Sequence, residues 1–398
     1  MKHFIGRVDT DPVVQASKNV PFLLQTLDVK MPLSTVDDGH RLCAEALHRD
    51  YGSSLAKLIN IICESILVFP QSSKCRMADS GTSAIIGIGI DIGTSQSSVA
   101  LWNGYQVEFL KDSVNQSMIE SCVTFLDDLP SRGLRRPRTL VDEMIAGNAI
   151  FNMKRLIGRM DSDPIVQASK NVPFLVQTLD IGIPPFVAAL VNEKWRFHTT
   201  EEALATFLVE LRMMAEEQLK RPLRNVAVTF PVSFGRFQLC RLERACAMAG
   251  IHVLRLMPEP AAVAMLYGQQ QQKASHEKIA FIFNMGAGYT DVAVAATGAG
   301  MTRIIALAGS TIGGEDLLQN LMHHIFPESD RFLKSHGMKE IKAIALLRFE
   351  VQLAIRGLCS ETSAPIIVDL HNGHKICTDI FRDEFEDVNR KVFEKWYH

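Results

Sequence analysis

Two glycine-rich turns, each set between short apolar runs, constrain this chain more than any other feature of its sequence. The first follows Ile85–Ile92 and reads Asp91-Ile92-Gly93-Thr94-Ser95-Gln96-Ser97 before the alternating stretch Ser98–Trp102. The second follows Ile279–Phe283 and reads Asn284-Met285-Gly286-Ala287-Gly288-Tyr289-Thr290-Asp291 before Val292–Thr297. Each predicts strand, glycine turn, strand, and Asn103-Gly104 predicts a further hairpin after the first. Glycines at such a turn let backbone N–H groups crowd around a phosphate, and small hydroxyls add donors. One such turn fits any tight hairpin. Two, with Gly93 and Gly286 lying 286 − 93 = 193 positions apart, predict similar lobes that grip one nucleotide.

Helix and strand alternate between the two turns, which predicts an α/β fold. Thr199 and Glu202 form a capping-box pattern, opening a helix with apolar positions 204, 207, 208 and 211 that ends before Pro222. Asn225–Phe230 reads as a strand and Phe237–Ala249 as a helix stopped by Gly250. His252–Met257 is a strand leading into Pro258-Glu259-Pro260 and a helix. Val123–Phe125, Phe186–Val191 and Trp195–Phe197 add strands.

A net charge of −2 over 398 residues argues against a broad nucleic-acid or anionic-membrane footprint. The cluster Arg132, Arg135, Arg136, Arg138 is interrupted by Gly133 and Pro137 and reads as a solvated loop. The apolar run Leu55–Pro70 is broken by Lys57, Asn60 and Glu64, short of the ~20 apolar residues a span needs. The eight cysteines are scattered without a Cys-x-x-Cys pair, which reads as reduced thiols. A cytoplasmic protein is the expectation.

Residues 1–29 repeat residues 153–181 with differences at positions 3, 4, 8, 10, 13, 24 and 29, so 29 − 7 = 22 match. One fold has one slot for such a segment, so the front copy is expected to lack a partner surface. Residues 1–76 are therefore expected to be an appendage, and Met77 reads as a natural start. A regulatory pseudo-segment competing with its own copy is the alternative.

The motifs DIGTSQSSVALWNG, NMKRLIGR, RNVAVTFPVSF, ACAMAGIHVLRLMPEPAAVAMLYG, IFNMGAGYTDVAV and IGGEDLLQN occur in the order of the heat-shock protein 70 ATPase domain. Over about residues 85–398 the chain resembles that family, and in particular its short, divergent plant members. The resemblance implies an actin-like ATPase fold, two ribonuclease-H-like lobes around a cleft for ATP and Mg2+. It implies a first lobe over 77–272 and a second over 273–398. Gly93, Thr94 and Ser95 would form the first phosphate loop, and Gly286 and Gly288 the second. Asp91 would hold magnesium through water, Lys154 would reach the transferred phosphate, and Glu259 would stand near the attacking water. Asp291 would follow the second loop. Gly313, Gly314, Glu315 and Asp316 would turn beside the nucleotide at a helix N-terminus that favours anions, and Arg356 would stack on adenine.

The chain departs from the family pattern on the chemistry. Asn284 stands where the second loop begins with aspartate, Ala287 replaces a glycine, Tyr289 displaces a threonine, and Gln96 replaces an aromatic. In the adenosine-clasp stretch Gln352–Cys359 only Arg356 matches; Gln352, Ile355 and Cys359 replace the usual residues. The family continues beyond the position of His398 with strands that finish the second lobe and a peptide-binding domain, so the second lobe is expected to be incomplete. The reading favoured is an ATP-binding relative of the folding chaperones, hydrolysing ATP slowly or not at all, with ATP or ADP and co-chaperones as partners. An active ATP-hydrolysing chaperone, a non-binding gene fragment, and a sugar kinase on the same fold are the alternatives.

Overall fold

The computed structural model describes residues 22–23, 87–102, 107–113, 115–125, 148–169, 172–178, 183–191, 194–270, 277–298, 301–329, 333, 337–370 and 375–397. The arginine cluster 132–138, the Asn103-Gly104 turn, the apolar run 55–70 and all of the front copy except Phe22 and Leu23 lie outside the described residues.

The elements run β1 (Phe22–Leu23), β2 (Gly87–Asp91), β3 (Gln96–Trp102), β4 (Val107–Phe109), β5 (Ile119–Glu120), β6 (Val123–Thr124) and β7 (Ala149–Ile150). Then come α1 (Met153–Leu156), α2 (Pro164–Ala168), β8 (Leu175–Gln177), β9 (Phe186–Val191), β10 (Lys194–Thr199) and α3 (Thr200–Leu219). The alternation continues with β11 (Asn225–Phe230), α4 (Arg236–Met248), β12 (His252–Pro258) and α5 (Glu259–Gln270). The second half holds β13 (Lys278–Met285), β14 (Thr290–Gly298), β15 (Met301–Ser310), α6 (Gly314–Ile325) and α7 (Met338–Gly357). It closes with β16 (Ser363–Asp369), β17 (Lys375–Phe381) and α8 (Arg382–Tyr397).

The main sheet of the first half has the order β12-β11-β2-β3-β4, with β5 attached to β3. β2 lies between β11, to which it is parallel, and β3, to which it is antiparallel. All five of its residues are buried, the behaviour of a strand covered on both faces. Two smaller sheets, β10-β9-β8 and β6-β7, complete this half. α3 begins with the expected capping box: Thr199 Oγ1 accepts from the Glu202 amide, and Glu202 accepts from the Thr199 amide at 2.8 Å.

In the second half β13, β14 and β15 form an antiparallel sheet, and β16 and β17 a separate hairpin. β16 shows period-2 burial: Ala364, Ile366 and Val368 point inward while Pro365, Ile367 and Asp369 face out. β15, absent from the expectations above, alternates poorly because most of it is exposed.

Two cores result. Ile90, Ile150, Phe207 and Val228 belong to the larger, and Leu321, Leu347, Ile366 and Phe385 to the second. Tyr289 and Ala345, from the second half, are buried in the first core.

The front copy corrects one expectation. Phe22 and Leu23 pair in parallel with Phe281 and Ile282 of β13, so this part of the copy does meet a partner surface. Its counterpart in the second copy, around Leu175, instead pairs antiparallel with Ala188 in β9. The physical reason is the edge of β13: a row of backbone N–H and C=O groups accepts any extended segment, whatever slot its twin occupies.

Candidate functional site

The two glycine turns face one another. The first joins β2 to β3, and a Cβ built on Gly93 would fall 1.8 Å from the Gln96 carbonyl oxygen. The Gly93 amide donates to Ser97 Oγ at 3.1 Å, which closes the turn from within. In the second turn, a Cβ on Gly288 would come within 2.4 Å of Thr94 Oγ1 and 3.0 Å of Arg155 Cγ. Thr94 and Gly288 thus meet directly across the cleft, and only a residue without a side chain permits that approach.

Four residues singled out in the sequence converge beneath these turns. Asp91 ends β2, Lys154 sits on α1, Glu259 opens α5, and Asp291 lies on β14. Lys154 Nζ donates to Glu259 Oε1 at 2.6 Å, an ion pair largely sealed from solvent. Asn284, on β13, donates through Nδ2 to Glu259 Oε2 at 2.8 Å. Thr229 of β11 donates its hydroxyl to Asp91 Oδ1, and the Val232 amide donates to Asp291 Oδ2 at 3.2 Å.

The electrostatics follow from three carboxyls sharing one lysine. Burial, reinforced by the Glu259 charge, pushes Asp91 up to about 6 and Asp291 up to about 7. Burial pulls Lys154 down, but Glu259 and Asp91 beside it more than offset this, and its ammonium is held above the usual lysine range.

The turn at Gly313, Gly314 and Glu315 takes a different part from a bare anion cradle. The Gly314 and Glu315 amides donate to the Gly286 and Ala287 carbonyls, at 3.1 and 2.7 Å, and the Gly313 amide donates to Asp316 Oδ2 at 2.8 Å. Helix α6 therefore props the second turn from behind with its first N–H groups. Glu315 is buried and bidentate with Arg348, at 2.7 and 2.5 Å; that pairing overcomes the upward push of burial and holds its carboxyl below the usual glutamate range. Arg356 lies exposed near the end of α7, outside the carboxyl cluster.

Sequence reasoning missed Arg155, Thr229 and Arg348, and it placed Asp316 in the turn beside the nucleotide without its partner. Arg155 is 2 % exposed and grips Asp316 with both terminal nitrogens, at 2.9 and 2.8 Å. Its signal was present in adjacency: it follows Lys154, as Asp316 follows Glu315. Thr229 lies within the motif RNVAVTFPVSF, but its spacing there marks no role.

The residues fit a hydrated divalent cation. Asp291 Oδ1 is buried without a hydrogen-bond partner, and Asp91 accepts from Thr229 with the charges of Glu259 and Lys154 nearby. A pocket so short of positive charge, built of oxygen donors, suits a hard cation that keeps its waters.

Two α/β halves with paired glycine turns over a carboxyl–lysine cluster define a two-lobed nucleotide-binding domain of the actin-like ATPase class. Residues 87–398 match the family described as Hsp70 protein. The chain is 58 % identical over 317 residues to "Heat shock 70 kDa protein 8" of Arabidopsis thaliana, covering 78 % of this chain and 54 % of that protein. It is 32 % identical over 309 residues to "Heat shock 70 kDa protein 2" of Paracoccidioides lutzii, covering 77 % and 46 %. Against "Heat shock cognate 70 kDa protein 3" of Dictyostelium discoideum it is 31 % identical over 310 residues, covering 77 % and 49 %. The chain belongs to the Hsp70 family, and it spans about half the length of the curated relatives it matches. No helix among the described residues is long and apolar enough to cross a membrane.

Proposed function

We propose that this chain binds ATP with Mg2+ between its two glycine turns and hydrolyses it slowly or not at all. The observation that carries this reading is the engagement of Glu259, with Lys154 on one oxygen and the Asn284 amide on the other. A carboxylate at position 284 would bring a negative charge to a cation or take a proton; a carboxamide carries no charge and takes no proton at neutral pH. Where a general base contributes, its loss costs roughly 10²–10⁴ in rate.

In this reading Gly93, Thr94, Ser95, Gly286 and Gly288 cradle the phosphates, and Asp91 and Asp291 hold the hydrated cation. That cation supplies charge neutralisation for the phosphate oxygens. Lys154 carries the positive charge toward the phosphates, and Glu259 orients the lysine. Glu315 supports the second turn through Arg348, and Arg356 supplies a cationic face near the base. We place the boundary between the lobes at 272/273, treat residues 1–76 as an appendage, and read the lobes as a surface for co-chaperones in the cytoplasm.

Calorimetric titration of the full chain with ATP and Mg2+, followed by phosphate release, tests this. The expected result is saturable binding with little turnover. Failure of the folded chain to bind would overturn the reading, and brisk turnover would overturn its second half.

A further inference from the structure

Tyr289 stands where the family resemblance places a small hydroxyl residue, yet its ring does not lie in the cleft. It leaves the second turn and enters the core of the first half, where it is 4 % exposed. There it meets Phe234 edge to face, with centroids 5.6 Å apart. Its hydroxyl donates to the Lys154 carbonyl at 3.1 Å, and Lys154 Nζ lies 5.9 Å from the ring centroid.

Two further contacts from the second half fall on the same short segment. Asp316, in the first turn of α6, takes the fork of Arg155. Arg348, held by Glu315, lies over the Phe151 ring at 4.8 Å. Phe151–Arg155, which carries Lys154 on one turn of helix, is thus gripped from the opposite half at three points. A four-residue helix has little stability of its own, so its position is set by what holds it.

We infer that Tyr289 is a positioning residue that pins the Lys154 helix and fastens the two halves together, so that the cleft opens rarely and bound nucleotide leaves slowly. The part concerning nucleotide rests on the reading proposed above; the anchoring does not. A tyrosine buried in the opposite core must be withdrawn whole before the halves part, whereas a threonine at the same place would offer no such wedge.

The test uses the full chain and three variants, Tyr289→Phe, Tyr289→Thr and Asp316→Asn. Hydrogen exchange without nucleotide is followed at the Arg155, Ile157 and Arg159 amides, which bond to Asn152, Met153 and Leu156. Release of a fluorescent ADP analogue is followed by chasing with unlabelled ADP and Mg2+. Tyr289→Thr should speed both by about tenfold or more, relative to unchanged protection in α3. Tyr289→Phe keeps the wedge and should stay within about threefold on both. Asp316→Asn releases the other tether, so it should speed exchange at Arg155 and serves as the second measurement should Tyr289→Thr fail to fold. Unchanged exchange around Lys154 in Tyr289→Thr, or a uniform rise across the whole chain, would overturn the anchor. Unchanged release with faster local exchange would overturn its control of nucleotide. If the unaltered chain binds no nucleotide, the reading of the site is overturned, and the exchange pattern still decides the anchor.

Discussion

The carboxamide of Asn284 donates to Glu259 Oε2 at 2.8 Å, on the side of the carboxylate opposite Lys154. An aspartate at position 284 would set two carboxylates against each other at that distance. Asparagine turns this repulsion into a hydrogen bond and removes one negative charge from a pocket that already holds Asp91, Glu259 and Asp291 around a single lysine.

Lys154→Met should destabilise the nucleotide-free chain by about 3–5 kcal/mol, because it leaves Glu259 buried against two other carboxyls with no cation. Chemical denaturation checks this. The loss should shrink at pH 5, where protonation relieves the repulsion; an equal loss at pH 5 and pH 8 would count against the charge argument.

Stability of the nucleotide-free chain should fall as pH rises. Asp91 and Asp291 have folded values of about 6 and about 7 against an ordinary 3.8, so the folded state binds protons more tightly than the unfolded one. Their contribution is fully present below the unfolded value and is lost as pH climbs through 6 and 7, on the order of a few kcal/mol in total. Two groups run the other way. His198, lowered by burial, loses stability as pH falls through its range, and Glu315, lowered by Arg348, does so at more acid pH. Thermal melts between pH 6.5 and 8, above most of the range in which His198 acts, follow the aspartates, and a melting temperature that rises across that window would contradict the assignment.

Gly288→Ala should cost about 1–3 kcal/mol, the usual range for forcing atoms into packed space. The added methyl would meet Thr94 Oγ1 and Arg155 at sub-contact distances, so the two turns must part. ATP affinity should drop with stability. A variant of unchanged affinity would mean that the phosphates do not sit between these turns.

Much of this was legible in the sequence, and the reasons are local. The cap at Thr199, the strand Asn225–Phe230 and the glycine hairpin at Asn284–Asp291 are set by near neighbours, and each stands where its residues predict. Asp91, Lys154, Glu259 and Asp291 were marked by motif, and the fold brings them together. What stayed hidden depends on contacts between distant segments. The direction taken by the Tyr289 ring is fixed by space beside Phe234, and the Arg155–Asp316 pair joins residues 316 − 155 = 161 positions apart. Neither follows from spacing or hydropathy. The pairing of Phe22 and Leu23 with β13 escaped for a related reason: an open sheet edge recognises backbone, so sequence identity to residues 174–175 did not fix the partner.

The most direct test of the account is single-turnover phosphate release, with every site filled by ATP and Mg2+, compared between the unaltered chain and Asn284→Asp. The account predicts that the unaltered chain binds ATP and releases phosphate slowly or not at all. Asn284→Asp should raise the rate by about 10²-fold or more, within the range a general base supplies. Equal rates in the two proteins, or rapid release by the unaltered chain, would contradict it.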